Sequence, residues 1–348
     1  MKYRLLSWLC CPGCRSEDLR LETISVRTIP VSQGHFEREE APPGVDLARG
    51  EEQEIVEGAL HCGGCAEVFP IRGGIPRMML SDSEPGPPSL HQKTRLDTAR
   101  PEWEENFQDL ASPLEAKDFL GKLVLDAGCG FGRHTFFAAR YGAEVVGIDS
   151  SENGVEAAYL NTSHLVRAHI VQADVYRPPF REATFDLTYS FGVLHHLDRP
   201  LEAFKILGEM IRPGGRLSLW VYGPRQGASL TVNKALRGVT TEMSPEALEE
   251  LSGAIARGLR LFSHTPYRFL RHVPVAHSVV SHLPIHDHHQ WPFDVVVADI
   301  YDRLRTPVHH WFKSEELEQL FTDDGYADVM VTRRVRNNET FRATGIRR

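Results

Sequence analysis

The chain has 348 residues, 41% of them hydrophobic and 25% charged, with 47 acidic against 39 basic side chains and a formal net charge of -8. That is about twice the length of a usual domain, with apolar content that excludes a disordered or fibrous chain and an acidic balance that argues against broad electrostatic capture of a nucleic-acid backbone. The C-terminal arginines (Arg333, Arg334, Arg336, Arg342, Arg347, Arg348) are the one local basic candidate and read first as the solvated face of a final hairpin.

The opening MKYRLLSWLCCPGC has too short an apolar run for a secretion signal, and no later run approaches the ~18 residues of a membrane span. A cytoplasmic protein without a membrane partner is therefore expected. Residues 1–80 begin and end with Cys11-Pro-Gly-Cys14 and Cys62-Gly-Gly-Cys65. In a reducing compartment such pairs point to metal and not to disulfides. Two knuckles make a closed site of four thiolates, which is a structural zinc geometry, and a long intervening loop is tolerable because closure entropy grows only logarithmically. The Gly, Pro and Glu-rich stretch of roughly 30–57 reads as a polar insertion adding little core. Cys10 reads as a buried small residue and not as a fifth ligand.

SDSEPGPPS (81–89) is a linker by composition, and 81–118 is expected to hold it and a short helical segment with Trp103 and Phe107. Strand patterns then alternate with amphipathic helices over 119–225: LVLDAG, AEVVGID, AHIVQAD, FDLTYSFG and RLSLWVY are the strands. That rhythm predicts a Rossmann-like, doubly wound α/β fold with a mostly parallel, seven-stranded sheet. Residues 226–292 break the rhythm and are expected to form a helical cap insertion, and 293–348 return to the sheet with a helix (314–323) and an antiparallel C-terminal hairpin around Asn337-Asn338. His286, His288 and His289 read as solvated loop histidines and not as a second metal site.

The chemical centre of the pattern is Asp126-Ala127-Gly128-Cys129-Gly130-Phe131-Gly132, placed after a strand and before a helix. Glycines there let the backbone turn tightly and approach a ligand closely. A dinucleotide site is the obvious competitor, but Asp126 would repel a pyrophosphate and would suit a sulfonium and an ammonium group. Asp149, at the tip of the next strand, can accept both ribose hydroxyls of either cofactor.

LVLDAGCGFG, VVGIDSS, ADVYRPPF, FDLTYSFGVLHHLDRPLEAF and IRPGGRLSLWVY resemble, in order and spacing, the successive motifs of class I S-adenosylmethionine-dependent methyltransferases. The resemblance implies that Gly128, Cys129, Gly130 and Gly132 line the methionine end, Asp149 and Ser150 the ribose, and Asp174 and Val175 the adenine edge. It also places Ser190, Phe191 and His195 beside the transferable methyl group. LLSWLCCPGC together with ALHCGGCAEVFPIRGGIPRMML resembles the small zinc-ribbon proteins that activate tRNA and protein methyltransferases, with a longer middle. By that resemblance Cys11, Cys14, Cys62 and Cys65 hold zinc, and the ribbon steadies or lids its own enzyme.

Methyl transfer needs in-line placement, plus a base where the acceptor loses a proton. His195, and His310 with Asp302 in the segment from Tyr301 to Trp311, are the candidates. Ser314, Glu315 and Glu316 read as a helix entry. A small-molecule acceptor, methylated on O or N, is the leading expectation, with nucleic acid disfavoured. The alternatives are a tRNA or protein methyltransferase, which the missing Asn/Asp-Pro-Pro-Tyr/Phe motif lowers, and a non-catalytic scaffold that keeps the fold.

Overall fold

The computed structural model describes residues 1–31, 43–46, 48–84, 90, 100–224, 239–240, 242–305, 310–334 and 337–348. The middle of the expected polar insertion, most of the linker, the start of the expected cap and Thr306–His309 of the acceptor-side segment lie outside the described residues.

Seven strands form the main sheet: β6 (Leu123–Ala127), β7 (Glu144–Asp149), β8 (Ala168–Gln172), β9 (Phe185–Phe191), β10 (Ile211–Tyr222), β11 (Tyr326–Arg334) and β12 (Asn337–Arg347). Their order is β11-β12-β10-β9-β6-β7-β8. Strands β8, β7, β6, β9 and β10 are parallel neighbours, and β12 runs antiparallel to both β10 and β11. Helices α3 (Arg133–Arg140), α4 (Glu152–Thr162) and α5 (Pro200–Glu209) make the crossovers. Both sheet faces are buried, so the strands read as nearly continuous apolar runs, and neighbours along a strand serve opposite layers. Val124 and Val145 face a layer containing α1 (Pro101–Ala111), whereas Leu125 and Val146 face the other.

Three of the C-terminal arginines are not on a solvated face, while Arg333 and Arg348 are exposed. Arg342 is buried and donates to the Asp109 backbone carbonyl on α1, Arg334 pairs with the Asp109 carboxylate, and Arg347 reaches the Gly208 and Ile211 carbonyls. The hairpin lies against α1 and α5, which turns these side chains inward. Asn337, expected in the turn, is instead paired with Arg334 in β12, and residues 335–336 lie outside the described residues.

The N-terminal unit is a second sheet, ordered β1-β3-β4-β5 with β2 on β3: β1 (Leu19–Pro30), β2 (Val45–Asp46), β3 (Glu51–Cys62), β4 (Val68–Arg72) and β5 (Ile75–Pro76). The stretch expected to add little core is in part β3, where Glu52 and Ile55 are fully buried and Glu54 nearly so. Alternation explains it: on the inner face Glu52 pairs with Arg4, and Glu54 with Arg27 and the Met1 ammonium, cations distant in sequence. Met1, Leu5, Leu9, Ile55, Leu60, Phe69 and Met78 share one hydrophobic core with Val146, Val171 and Phe180 of the main domain. The unit extends the β8 edge, with Arg77 bridging Gln172 in parallel and the Met78 N–H donating to the Gln172 carbonyl at 2.8 Å.

Helix Pro245–Leu259, capped by the Ser244 hydroxyl, runs through a π-turn (Arg260–His264) into Thr265–Leu270, followed by Pro274–Val280. Helix Phe293–Arg305 packs on the first of these through Leu248, Ala256, Val296, Ile300 and Leu304. No helix among the described residues is long and apolar enough to cross a membrane.

Candidate functional site

The loop after β6 turns through three left-handed glycines, Gly128 (φ +86), Gly130 (φ +53) and Gly132 (φ +80), which L side chains rarely adopt. At Gly128 a Cβ would lie 2.3 Å from a Val193 methyl and at Gly132 2.9 Å from Ala158 Cα, so both are packed shut. At Gly130 a Cβ would meet nothing within 4 Å. The loop is thus closed at its ends and open at its middle.

Asp149 faces that opening. Its Oδ2 accepts the Gly130 N–H at 3.0 Å and its Oδ1 the Ser151 N–H at 2.9 Å, which ties the tip of β7 to the loop; burial pushes its carboxyl upward. Asp126 is fully buried, accepts the Thr135 hydroxyl at 2.7 Å and is pushed by burial up to about 7. Its carboxyl braces the loop from below and does not line it. Cys129 is likewise inward, packed with Ile75, Val155, Ala158 and Ile170, and Ser190 donates to the Ala127 carbonyl at 2.8 Å. Phe191 stacks on Tyr189 at 4.7 Å, and the Ser150 carbonyl accepts from Gln172. Asp174 accepts the Tyr176 N–H at 2.9 Å and the Ser83 hydroxyl at 3.2 Å, and Val175 packs on the core beside it. These residues collect at the carboxyl ends of β6, β7, β8 and β9, where open α/β sheets bind ligands.

An adenosyl cofactor fits this arrangement on the structure's own terms. Beside the open Gly130, α1 lays Trp103 against Phe131 (centroids 6.0 Å apart), and both the Trp103 Nε1 and the Asn106 Oδ1 are buried without a hydrogen-bond partner. Buried polar atoms without partners are uncommon and call for a ligand group or water. Sequence reasoning noticed Trp103 only as part of a helix, and missed Asn106 and Arg133, whose guanidinium lies 5.0 Å from the Trp103 ring centroid.

On the acceptor side, His195 is fully buried and stacks on Tyr222 at 3.9 Å, and its Nδ1 lies 3.3 Å from the Tyr222 N–H. Accepting there puts the ring proton on Nε2, which suits a donor better than a base. His310 joins it through the main chain, its N–H donating to the His195 carbonyl at 3.3 Å. The His310 Nε2 lies 2.7 Å from Glu316, a partner the sequence offered only as a helix-entry residue. Asp302 sits on Phe293–Arg305, next to Tyr301 and two turns from the helix start. His286 meets the Leu283 carbonyl and His289 meets Arg271, and His288 Nδ1 lies 3.6 Å from the Asp299 carboxylate.

Among the described residues, Cys11, Cys14, Cys62 and Cys65 are the one group of potential ligands, with all four sulfurs within 4.8 Å of one another. Cys11 and Cys65 are 3.5 Å apart, as are Cys14 and Cys62. A tetrahedral zinc with Zn–S of ~2.3 Å needs sulfurs about 3.8 Å apart, a spacing that the four thiols bracket. The Gly64 N–H donates to the Cys62 sulfur at 3.3 Å. Cys10 is buried outside the set, its N–H on the Pro179 carbonyl.

The ribbon touches the cofactor-side loops from behind: Ile75 packs under Cys129, Gly74 lies against Tyr159 of α4, and Ser83 meets Asp174. Through these contacts it buttresses the loops from behind.

Residues 125–219 match the family described as "Methyltransferase domain", and residues 2–74 match "Trm112p-like protein". The chain therefore carries a methyltransferase domain and, N-terminal to it, a Trm112p-like domain that holds the four clustered cysteines. Among curated proteins it is similar to a tRNA U34 carboxymethyltransferase of Idiomarina loihiensis, 36% identical over 131 residues, covering 36% of this chain and 39% of that protein. It is also similar to a ubiquinone biosynthesis O-methyltransferase of Mesorhizobium japonicum, 38% identical over 110 residues, covering 30% and 42%. The chain spans about two fifths of the length of these curated relatives. A solved magnesium protoporphyrin IX methyltransferase from Synechocystis PCC 6803 aligns over 74% of this chain and 84% of its own, at 17% identity and a TM-score of 0.41.

Proposed function

We propose that the protein transfers the methyl group of S-adenosylmethionine to a tRNA, with the zinc-loaded ribbon acting as a built-in activator. The observation that carries the cofactor half is the open Gly130 facing Asp149 at the strand tips. The acceptor half rests on the Trm112p-like ribbon and on the relatives named as tRNA U34 carboxymethyltransferases. It displaces the small-molecule acceptor as the first reading, although the relative named for ubiquinone biosynthesis keeps that as a second.

When bound, S-adenosylmethionine supplies an electrophilic methyl group. Asp149 accepts the ribose hydroxyls, and the glycine loop with α1 orients the methionine end. His310, with Nε2 held by Glu316, keeps its Nδ1 to take a proton from the acceptor, and a carboxylate behind an imidazole favours the proton-accepting role. His195 fixes the loop that carries this dyad. Labelled S-adenosylmethionine, incubated with the protein and deacylated bulk tRNA, should place label in RNA, and His310→Ala should lower the rate by about 10²-fold with cofactor affinity retained. Label appearing only in a small-molecule fraction would shift the assignment to the second reading.

A further inference from the structure

Outside the nucleoside site, positive charge converges on a cleft of about 530 Å³ between the cap and the start of α1, lined by Arg100, Arg260, Arg268, Arg271, His264 and His289. In a chain of net charge -8, no acidic residue occurs between Glu250 and Asp287, while Arg257, Arg260, Arg268 and Arg271 all do. Among the described residues no carboxylate forms an ion pair with Arg260, Arg268 or Arg271. Arg260 donates to the Trp291 carbonyl, and Arg271 to the rings of His272 and His289. Like charges held near one another repel, so Arg260, Arg268 and Arg271, which form no ion pair among the described residues, carry a standing cost that an anion would relieve. Burial lowers both His264 and His289 against a backbone hydrogen bond that raises each, and the nearby arginines add to the lowering.

The cleft also has a direction. Its wall residue Trp291 packs edge-on against Trp103 at 4.6 Å, and Trp103 against Phe131 of the glycine loop at 6.0 Å. One aromatic layer thus lies between the arginines and the glycine loop of the cofactor site. Glu102 is the sole acid of the lining, and its Oε2 is buried without a hydrogen-bond partner, an acceptor for a hydroxyl or amine. Arginine forks grip phosphate oxygens in pairs, and the volume suits a nucleotide-sized piece better than a bare ion.

We propose that this cleft binds a phosphate group of the methyl acceptor, with Glu102 meeting a hydroxyl or amine of the same molecule. The proposal rests on the methyltransferase reading and names its acceptor chemistry: a phosphorylated nucleoside or sugar, whether free or within an RNA chain. Holding the phosphate one aromatic layer from the glycine loop would use remote binding to place the acceptor.

The test is calorimetry at constant ionic strength with inorganic pyrophosphate, on the wild type, Arg268→Ala/Arg271→Ala, the single Arg268→Gln, and Arg199→Ala as a control on an exposed arginine paired with Glu202. Pyrophosphate should bind the wild type and the control alike, and at least about tenfold more weakly to the double variant, with S-adenosylmethionine affinity unchanged in all four. Arg268→Gln, at an exposed position, keeps the test open should the double variant unfold. Uridine monophosphate and bulk tRNA then distinguish the sources: a KM raised about tenfold for tRNA with kcat nearly unchanged points to RNA, and competition by the nucleotide alone to a small molecule. Pyrophosphate that fails to bind at millimolar concentration, or binds the variants as it binds the wild type, overturns the proposal. Pyrophosphate binding without any S-adenosylmethionine binding would instead sink the methyltransferase reading and leave the anion site standing.

Discussion

Asp149 does two jobs with one carboxylate. Its oxygens hold the Gly130 and Ser151 N–H groups, so the same side chain that would accept the ribose also fixes the loop it faces. Asp149→Ala should therefore weaken S-adenosylmethionine by roughly 2–3 kcal/mol in calorimetry, through loss of charge-assisted hydrogen bonds; unchanged affinity would refute the nucleoside site. The glycines and Asp149 were legible in the sequence because their signal is local, a turn and a strand tip. The roles of Asp126 and Cys129 were not legible, since whether a motif residue points up at a ligand or down into the core depends on packing: Thr135 and Ile75 draw these two inward. Glu316 was hidden for a similar reason, because its partner His310 lies beyond the helix it opens.

At the scale of elements, the join between ribbon and sheet is a buried polar network as well as an apolar one. Arg4 binds Glu52 of β3, Glu144 of β7 and the Val166 carbonyl, and Lys2 reaches the Leu165 and Ala168 carbonyls. Removing one partner of a buried pair leaves the other charge unpaired, so Arg4→Ala should cost about 3–5 kcal/mol in denaturant unfolding. Burial pulls His169 down to about 3 although Glu144 opposes the shift; burial disfavours the Glu144 anion, but His169 and Arg4 outweigh it and hold that carboxyl near 2. Both folded values lie below the ordinary ones, so both contributions are complete above about pH 6.5 and are lost on acidification, first His169 and then, below about 4.5, Glu144. Asp126, raised to about 7, runs the other way, its contribution being complete near pH 4 and lost as pH rises through 7. His169→Gln should accordingly flatten the loss between about pH 6.5 and 4 in a stability profile; an unaltered slope there would refute the network's role.

The four thiols make the outer end of the same unit a separate lever. The purified protein should carry one zinc per chain by elemental analysis, and Cys65→Ser, at an exposed ligand, should release it and loosen the segment up to Met78. The knuckles were readable from spacing alone. The strand through Glu51–Cys62 was not, because glutamates on an inner face look like solvent-facing ones until their distant cations are known.

For the molecule as a whole, the mostly parallel sheet followed from the strand–helix rhythm, whereas its strand order and the arginine cleft did not. Arg100, Arg268 and His289 lie far apart in sequence and line one cleft where Trp291 packs on Trp103. The fusion itself has a kinetic meaning. A ribbon supplied as a separate chain would bind by mass action, and its occupancy would depend on supply and on competing enzymes. Here Leu9, Met78 and Arg4 dock against Phe180, Gln172 and Glu144 of the same chain, so docking is unimolecular and governed by an effective concentration that dilution cannot change. The thermal midpoint and the specific activity should therefore hold constant over a hundredfold dilution of the protein, as scanning fluorimetry and a rate series would read. A ribbon held this way is no shared subunit: each copy serves one catalytic domain, in fixed one-to-one proportion, from synthesis to degradation.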